Sequence, residues 1–378
     1  MLLNKLKEYV AGNVYPMHMP GHKRNKEHGH GSLPFDFDIT EINGFDDMHN
    51  PLGILLEIQK LASKLYESKN AFTLVNGSTV GILAAIGAHT KRKDKILIGK
   101  NHHWSVDNAV SLFDLNPIYI TPGEDEETGL PLSIPPEMVE EALAHDPDIA
   151  LIVITSPSYE GVVSDVASIA EIAHSKDIPL FVDSAHGAHL GFSKMFPKSA
   201  IQAGADIVVM SLHKTLPAMT QCSLLHICTD RANNHATGRM LSMLQTSSPS
   251  YVLMASIDGC LHLLENDHVQ LFSDYERKLE RFGDEIKHLK HLQIPCHQKN
   301  ISNHFFDFDP GKLVVITKNT KLTGELLLSI MRNEYSIELE KAFPDYALAM
   351  TSISDSAEGF DRFAEALLDV DHKLNGSI

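Results

Sequence analysis

Residues 178–192, IPLFVDSAHGAHLGF, and residues 204–228, GADIVVMSLHKTLPAMTQCSLLHIC, decide the fold. Three short apolar runs stand in them: LFVD (180–183), DIVVM (206–210) and SLLHIC (223–228). A continuous apolar run, unlike an alternating one, marks a strand buried on both faces. Four upstream runs have the same character: AFTLV (71–75), KILIG (95–99), PIYIT (117–121) and ALIVIT (150–155). Helix-like stretches at 52–67, 79–90, 136–145 and 164–176 separate many of them. Buried strands alternating with helices predict an α/β protein with a mainly parallel seven-stranded sheet flanked by helices. Only residues 211–222 separate the last two runs, too few for a helical crossover, so one antiparallel strand is expected there.

Outward from this core the texture changes. Residues 1–40 read as irregular, with GHKRNKEHGHG (21–31) as a solvated loop that holds His28 and His30. Residues 250–290 read as mostly helical, with a charged face in DYERKLERFGDEIKHLK (274–290). Beyond 300, FFDFD, KLVVIT and YALAMT mix with helical pieces at 322–334 and 357–371, which predicts a small C-terminal α+β domain. The expected division is an N-terminal segment (1–50), a large domain (51–250), and a connecting helix with the small domain (251–378).

The chain has 378 residues, 43% of them apolar and 21% charged, enough for a large core and a second small one. Its net charge of −17 repels phosphate backbones, which argues against nucleic acid, and steers cationic ligands inward. No apolar run approaches a membrane span, and MLLNKLKEYV lacks the form of a secretory signal. Four cysteines without a C-x-x-C pair fit a reduced, cytoplasmic chain.

Asp183 closes one buried run and Lys214 follows the next, so both are expected at the carboxyl edge of the sheet, where open α/β sheets bind ligands. Ser211 and His213 accompany Lys214 there. An amine and a carboxylate on consecutive strand ends match the needs of pyridoxal phosphate: the amine forms a Schiff base and the carboxylate pairs with the pyridinium nitrogen. An ordinary buried Asp–Lys ion pair is the alternative. Gly77, Ser78 and Thr79 in VNGSTVGILAAIGAH sit at a strand-to-helix turn, an anion site suited to the cofactor phosphate, unless Ser78 is simply a helix cap. His186 and His189 have a ligand-like spacing but no evident third ligand, so no metal is expected. The carboxylates Asp36, Asp38, Glu41, Asp46 and Asp47 are either loop charge or a surface for a guanidinium or ammonium group.

Eight pieces taken in order resemble the Orn/Lys/Arg decarboxylases, pyridoxal-phosphate enzymes of the aspartate-aminotransferase fold (fold type I). They are MPGHKRN (19–25), DITEINGFDDMHNP (38–51), VNGSTVG (75–81), KNHHWS (100–105), TSPSYEGVVSD (155–165), DSAHGAHLGF (183–192), GADIVVMSLHKTLPAMTQ (204–221) and QTSSPSY (245–251). The resemblance spans roughly residues 15–260 and is looser beyond. It implies that Lys214 is the Schiff-base lysine and Asp183 the pyridinium partner. Gly77, Ser78, Thr79, Ser211 and His213 would hold the phosphate, and His103 would stack on the ring. His186 would lie beside the ring, at its phenolic oxygen or at the substrate carboxylate, and Thr246 and Ser247 would reach the phosphate of a partner subunit. Glu340, in SIELEKAFPDYA, matches a C-terminal glutamate of the family and joins Glu41 and Asp46 as expected substrate-binding acids. Compared with larger members the sequence lacks an N-terminal wing domain and has a short C-terminal part, which bears on specificity. The implied activity is decarboxylation of arginine, lysine or ornithine in a homodimer with shared active sites, as part of polyamine formation. Transamination, elimination and a non-catalytic paralogue are the competing readings.

Overall fold

The computed structural model describes residues 1–12, 19–20, 23, 33–297 and 305–375. Most of MPGHKRN, and both His28 and His30, lie outside the described residues. Two helices, α1 (Leu2–Ala11) and α2 (Ile54–Tyr66), precede the sheet. The chain then runs through β1 (Asn70–Leu74), α3 (Gly77–His89), β2 (Lys95–Gly99), α4 (Trp104–Phe113), β3 (Asn116–Ile120), α5 (Pro136–His145) and β4 (Ile149–Thr155). A short β5 (Val162–Val163), α6 (Val166–Ser175), β6 (Leu180–Asp183), β7 (Ile207–Ser211), the single turn α7 (Leu212–Thr215) and β8 (Ser223–Ile227) follow. The large sheet has the order β1-β8-β7-β6-β4-β2-β3. Its strands are parallel except β8, which runs against both β7 and β1, as the short 211–222 connection requires.

Both faces of this sheet are buried. Ile152 and Ile154 of β4 belong to one hydrophobic cluster and Leu151 and Val153 to another, as the alternation of a strand dictates. Ile82, Ala85 and Ile86 of α3 cover the second face, while Ile169 and Ala173 of α6 cover the first. Each buried aliphatic side chain contributes about 1.5–3 kcal/mol. An exposed ion pair such as Lys64–Glu265 contributes ~0–1 kcal/mol, so the faces of the sheet, not its rim charges, hold the fold.

Beyond the sheet come α8 (Asn234–Leu244) and the long α9 (Tyr251–Ile286), which starts where Ser250 Oγ accepts the Leu253 N–H. Then follow β9 (Asp307–Phe308), β10 (Lys312–Ile316), α10 (Gly324–Tyr335), β11 (Lys341–Phe343), β12 (Tyr346–Met350) and α11 (Ala357–Asn375). Strands β10, β12 and β11 form a second, antiparallel sheet. Strands β5 and β9 pair antiparallel through Val162↔Phe308 and Val163↔Asp307, tying the C-terminal part to the loop that leaves β4.

The N-terminal residues differ from expectation: residues 2–11 are helical rather than irregular. Leu2 and Leu6 lie one turn apart and are fully buried, and the Leu2 N–H donates to Asp258 Oδ2 of α9 at 2.6 Å. Docking on α9 stabilises a helix too short to persist alone.

His226 is buried in β8, with Nδ1 2.9 Å from Ser68 Oγ and Nε2 unpartnered among the described residues. Burial pushes its pKa down to about 3. The unfolded chain, with a pKa of ~6.5, therefore binds this proton more readily. The contribution of neutral His226 is intact above ~pH 6.5 and is lost as pH falls toward the folded value. In urea titrations, His226→Gln should make the acid-side loss of unfolding free energy shallower by about 1.4 kcal/mol per pH unit. Equal slopes would show that this imidazole does not limit acid stability.

Candidate active site

Strand β6 delivers Asp183 to the carboxyl edge, in register with Thr155 of β4 and Val209 of β7. Strand β7 ends at Ser211, and α7 begins at once, placing His213 and Lys214 on its single turn. Asp183 is buried and its Oδ1 accepts the Ala185 N–H at 3.1 Å. Burial raises its pKa, against the lowering effects of Lys214, the Ala185 N–H and His102. Burial lowers the pKa of Lys214, against the raising effects of Asp183 and Glu340. The two charges thus feel each other, yet they form no direct ion pair: Lys214 Nζ lies 3.0 Å from His186 Nε2 instead. A carboxylate and an amine that influence each other at one sheet edge without pairing differ from the ordinary buried ion pair.

The N-terminus of α3 closes one end of this region. Gly77 has φ +72°, which a side chain would strain, and Asn76 gives the helix no side-chain cap. The Gly77 N–H donates to Gln221 O at 3.0 Å, and Ser211 Oγ donates to Ser78 Oγ at 2.9 Å. Thr79 follows in the first turn, and His213 Nδ1 lies 3.0 Å from Cys222 O. Free helix N–H groups beside two hydroxyls make a site for an anion. The loop with Thr246 and Ser247 docks here within the same chain: the Thr246 N–H donates to Asn76 Oδ1 at 3.1 Å, and His49 Nε2 lies 2.8 Å from Thr246 O.

Thr155 Oγ1, Ser184 Oγ and Asn101 Oδ1, at or just beyond the ends of β4, β6 and β2, are buried without a hydrogen-bond partner among the described residues. Each such atom costs about 1–3 kcal/mol. Three of them at neighbouring strand ends fit a site that awaits a polar ligand.

His186 lies between two lysines, with Nε2 at Lys214 and Nδ1 2.8 Å from Lys312 Nζ. The Tyr159 ring meets it edge-on at 4.9 Å, and the Tyr159 O–H donates to Glu340 Oε1 at 2.6 Å. His103 caps α4 by accepting the Ser105 N–H, and its pKa is lowered by partial burial and by Lys214. His189 instead pairs with Asp309 at 3.1 Å. Asp46 accepts the Gly53 and Leu55 N–H groups, both at 2.8 Å, at the start of α2, and Glu41 lies exposed on the same segment. Both acids act electrostatically on Tyr251. Lys312 and Tyr159 escaped the sequence reading. The available signal was a lone cation at the head of an apolar run, KLVVIT, where charge is rarely buried without purpose.

A family profile described as "Orn/Lys/Arg decarboxylase, major domain" matches residues 1–321. An uncharacterized protein, YaaO, of Bacillus subtilis (strain 168) is 38% identical over 346 residues, covering 87% of this chain and 69% of its own. An arginine decarboxylase of the same organism is 31% identical over 380 residues, 99% of this chain and 78% of its own. Among solved structures, the lysine decarboxylase LdcF of Francisella novicida superposes with a TM-score of 0.85 at 20% identity, covering 99% of this chain. The chain spans 60% of the length of that structure, and the likeness concerns the fold.

The Asp183 carboxylate bears the cost of burial without an ion pair, so Asp183→Asn should leave the unfolding free energy of the ligand-free chain unchanged or up to ~2 kcal/mol higher. A loss greater than ~2 kcal/mol in urea denaturation would make the carboxylate a structural anchor instead.

Proposed function

The chain belongs to the Orn/Lys/Arg decarboxylase family, and from that membership we propose that it is a pyridoxal-phosphate enzyme that releases CO2 from a basic amino acid, arginine first. The observation that carries this reading is that half-buried Lys214 and buried Asp183 share one sheet edge without pairing, beside the open N-terminus of α3. The residues fit the cofactor. Lys214 would bind its aldehyde and Asp183 its ring nitrogen. Gly77, Ser78, Thr79, Ser211 and His213 would hold its phosphate, and His103 would lie against the ring. Pyridoxal phosphate, when bound, supplies a sink for the electron pair left on the α-carbon after CO2 departs.

The chain's own groups do the rest. Asp183, buried at the end of β6, would hold a proton at the ring nitrogen. His186 Nε2 exchanges a proton with Lys214 Nζ across 3.0 Å, so that amine can return a proton to the α-carbon. Glu340 accepts from Tyr159 through Oε1, which leaves Oε2 for the distal cation of the substrate. Burial, aided by Glu340, raises the Tyr159 pKa, so Tyr159 remains a donor. A net charge of −17 concentrates a cationic substrate near the surface.

The reading extends to a homodimer with shared sites. Exposed Leu52, Trp104 and Met219, close in sequence to α2, His103 and Lys214, support it. In that arrangement Thr246 and Ser247, held beside Asn76 of their own chain, would also reach the partner's phosphate. Glu41 and Asp46, which act electrostatically on Tyr251 in their own chain, would meet a substrate cation across the boundary. Four unpaired cysteines support a reducing, cytoplasmic setting, and polyamine formation is the proposed use of the product. No helix among the described residues is long and apolar enough to cross a membrane. The proposed domain division keeps its boundary at Tyr251, the first residue of α9.

The test is purified protein with added pyridoxal phosphate, given arginine, lysine or ornithine, with CO2 and the amine product measured. Arginine should give both in equal amounts, and Lys214→Ala should lower turnover at least ~10²-fold. A keto acid without CO2 would establish transamination instead.

A further inference from the structure

Lys312 opens β10, 2% exposed, and among the described residues the one hydrogen bond of its ammonium is the 2.8 Å contact with His186 Nδ1. The other ring nitrogen of His186 faces Lys214 at 3.0 Å. A neutral imidazole has one N–H and one lone pair, while an ammonium donates only. Both contacts are hydrogen bonds only if one amine donates to the ring and the other accepts from it, and an accepting amine is neutral. An imidazolium would require two neutral amines. Burial first, then Lys312 and Lys214, holds the ring pKa well below its ordinary value, so the ring stays neutral.

We infer that Lys312 is a positioning residue that shares a single proton with Lys214 through His186, keeping one amine neutral while the other is charged. The inference rests on Lys214 being the reacting amine. The exchange balances: Lys312 Nζ gives a proton to Nδ1, and Nε2 gives its own to Lys214 Nζ. No charge is gained or lost. Asp309, Glu340 and Glu160 act toward Lys312, and a charge held there leaves Lys214 in its nucleophilic form. Asp183 and Glu340 act on Lys214. His103 and His189 face the ring, and His213 stands beside Lys214. Burial brings the Lys312 pKa down to about 8, against the pull of Asp309, within reach of such an exchange.

The fold is built around this lysine. Gly161 has φ +105°, and a Cβ there would stand 2.7 Å from Lys312 Cγ and 2.8 Å from its Cβ. The Asp309 N–H donates to Gly161 O at 2.8 Å, next to the β5–β9 ladder. Only a glycine lets the stem of Lys312 pass over this loop to the ring.

Competitive labelling of the cofactor-free, full-length protein with trace acetic anhydride, read by mass spectrometry at position 214, tests the inference without cofactor or substrate. In the wild type, Lys214 should react as an amine titrating below the ordinary lysine range. Lys312→Met removes the cationic neighbour, so the reactivity of Lys214 near neutral pH should fall roughly tenfold. Lys312→Arg should restore it, because a guanidinium donates to Nδ1 and never accepts. A Met variant within about twofold of the wild type, or an Arg variant that matches Met, would overturn the shared proton. Should the Met variant fail to fold, 15N NMR of the wild-type His186 ring decides: a ring that stays neutral sustains the inference, and one that titrates near ~6.5 refutes it. Labelling that succeeds in a protein that never captures pyridoxal phosphate would remove the proposed function and leave the shared proton standing.

Discussion

Burial of both faces of one sheet is the constraint on which everything else in this protein depends. A strand covered on both sides has no wet face, so its polar chemistry is forced to its ends. The parallel run β7-β6-β4-β2-β3 points every carboxyl end the same way. Thr155, Asp183 and Ser211 therefore reach one edge, where the loops can differ without disturbing the core.

At that edge the protein accepts a cost. Asp183 is buried with one recorded N–H partner, Lys214 is turned to a histidine, and Thr155, Ser184 and Asn101 keep polar atoms unpartnered among the described residues. A fold optimised for stability alone would close the ion pair and satisfy those atoms. Such frustration concentrated at strand ends, while the sheet behind is packed throughout, is how a ligand site differs from a core.

The C-terminal part completes this edge rather than merely adding to it. The β5–β9 ladder and the hydrogen bond from Asp309 to Gly161 carry β10 to the edge of the large sheet. Lys312 and Glu340, both from that part, then act on His186, Tyr159 and Lys214, which belong to the first. Any shift between the two parts changes the electrostatics at Lys214 directly.

The sequence by itself determined the layered α/β plan, the single reversed strand, and the positions of Asp183, Lys214 and Gly77 at strand ends. These follow from short-range causes: apolar run length, connection length, and the residues that interrupt a strand. Tertiary structure alone decided the rest. Residues 2–11 are helical because α9 receives them, the Asp46 carboxylate caps α2, and Thr246 lies beside Asn76. Lys312 meets His186 across 126 positions of chain. No local pattern encodes such a meeting, because it depends on strands from distant segments pairing first, and on the empty space that a missing side chain leaves at residue 161.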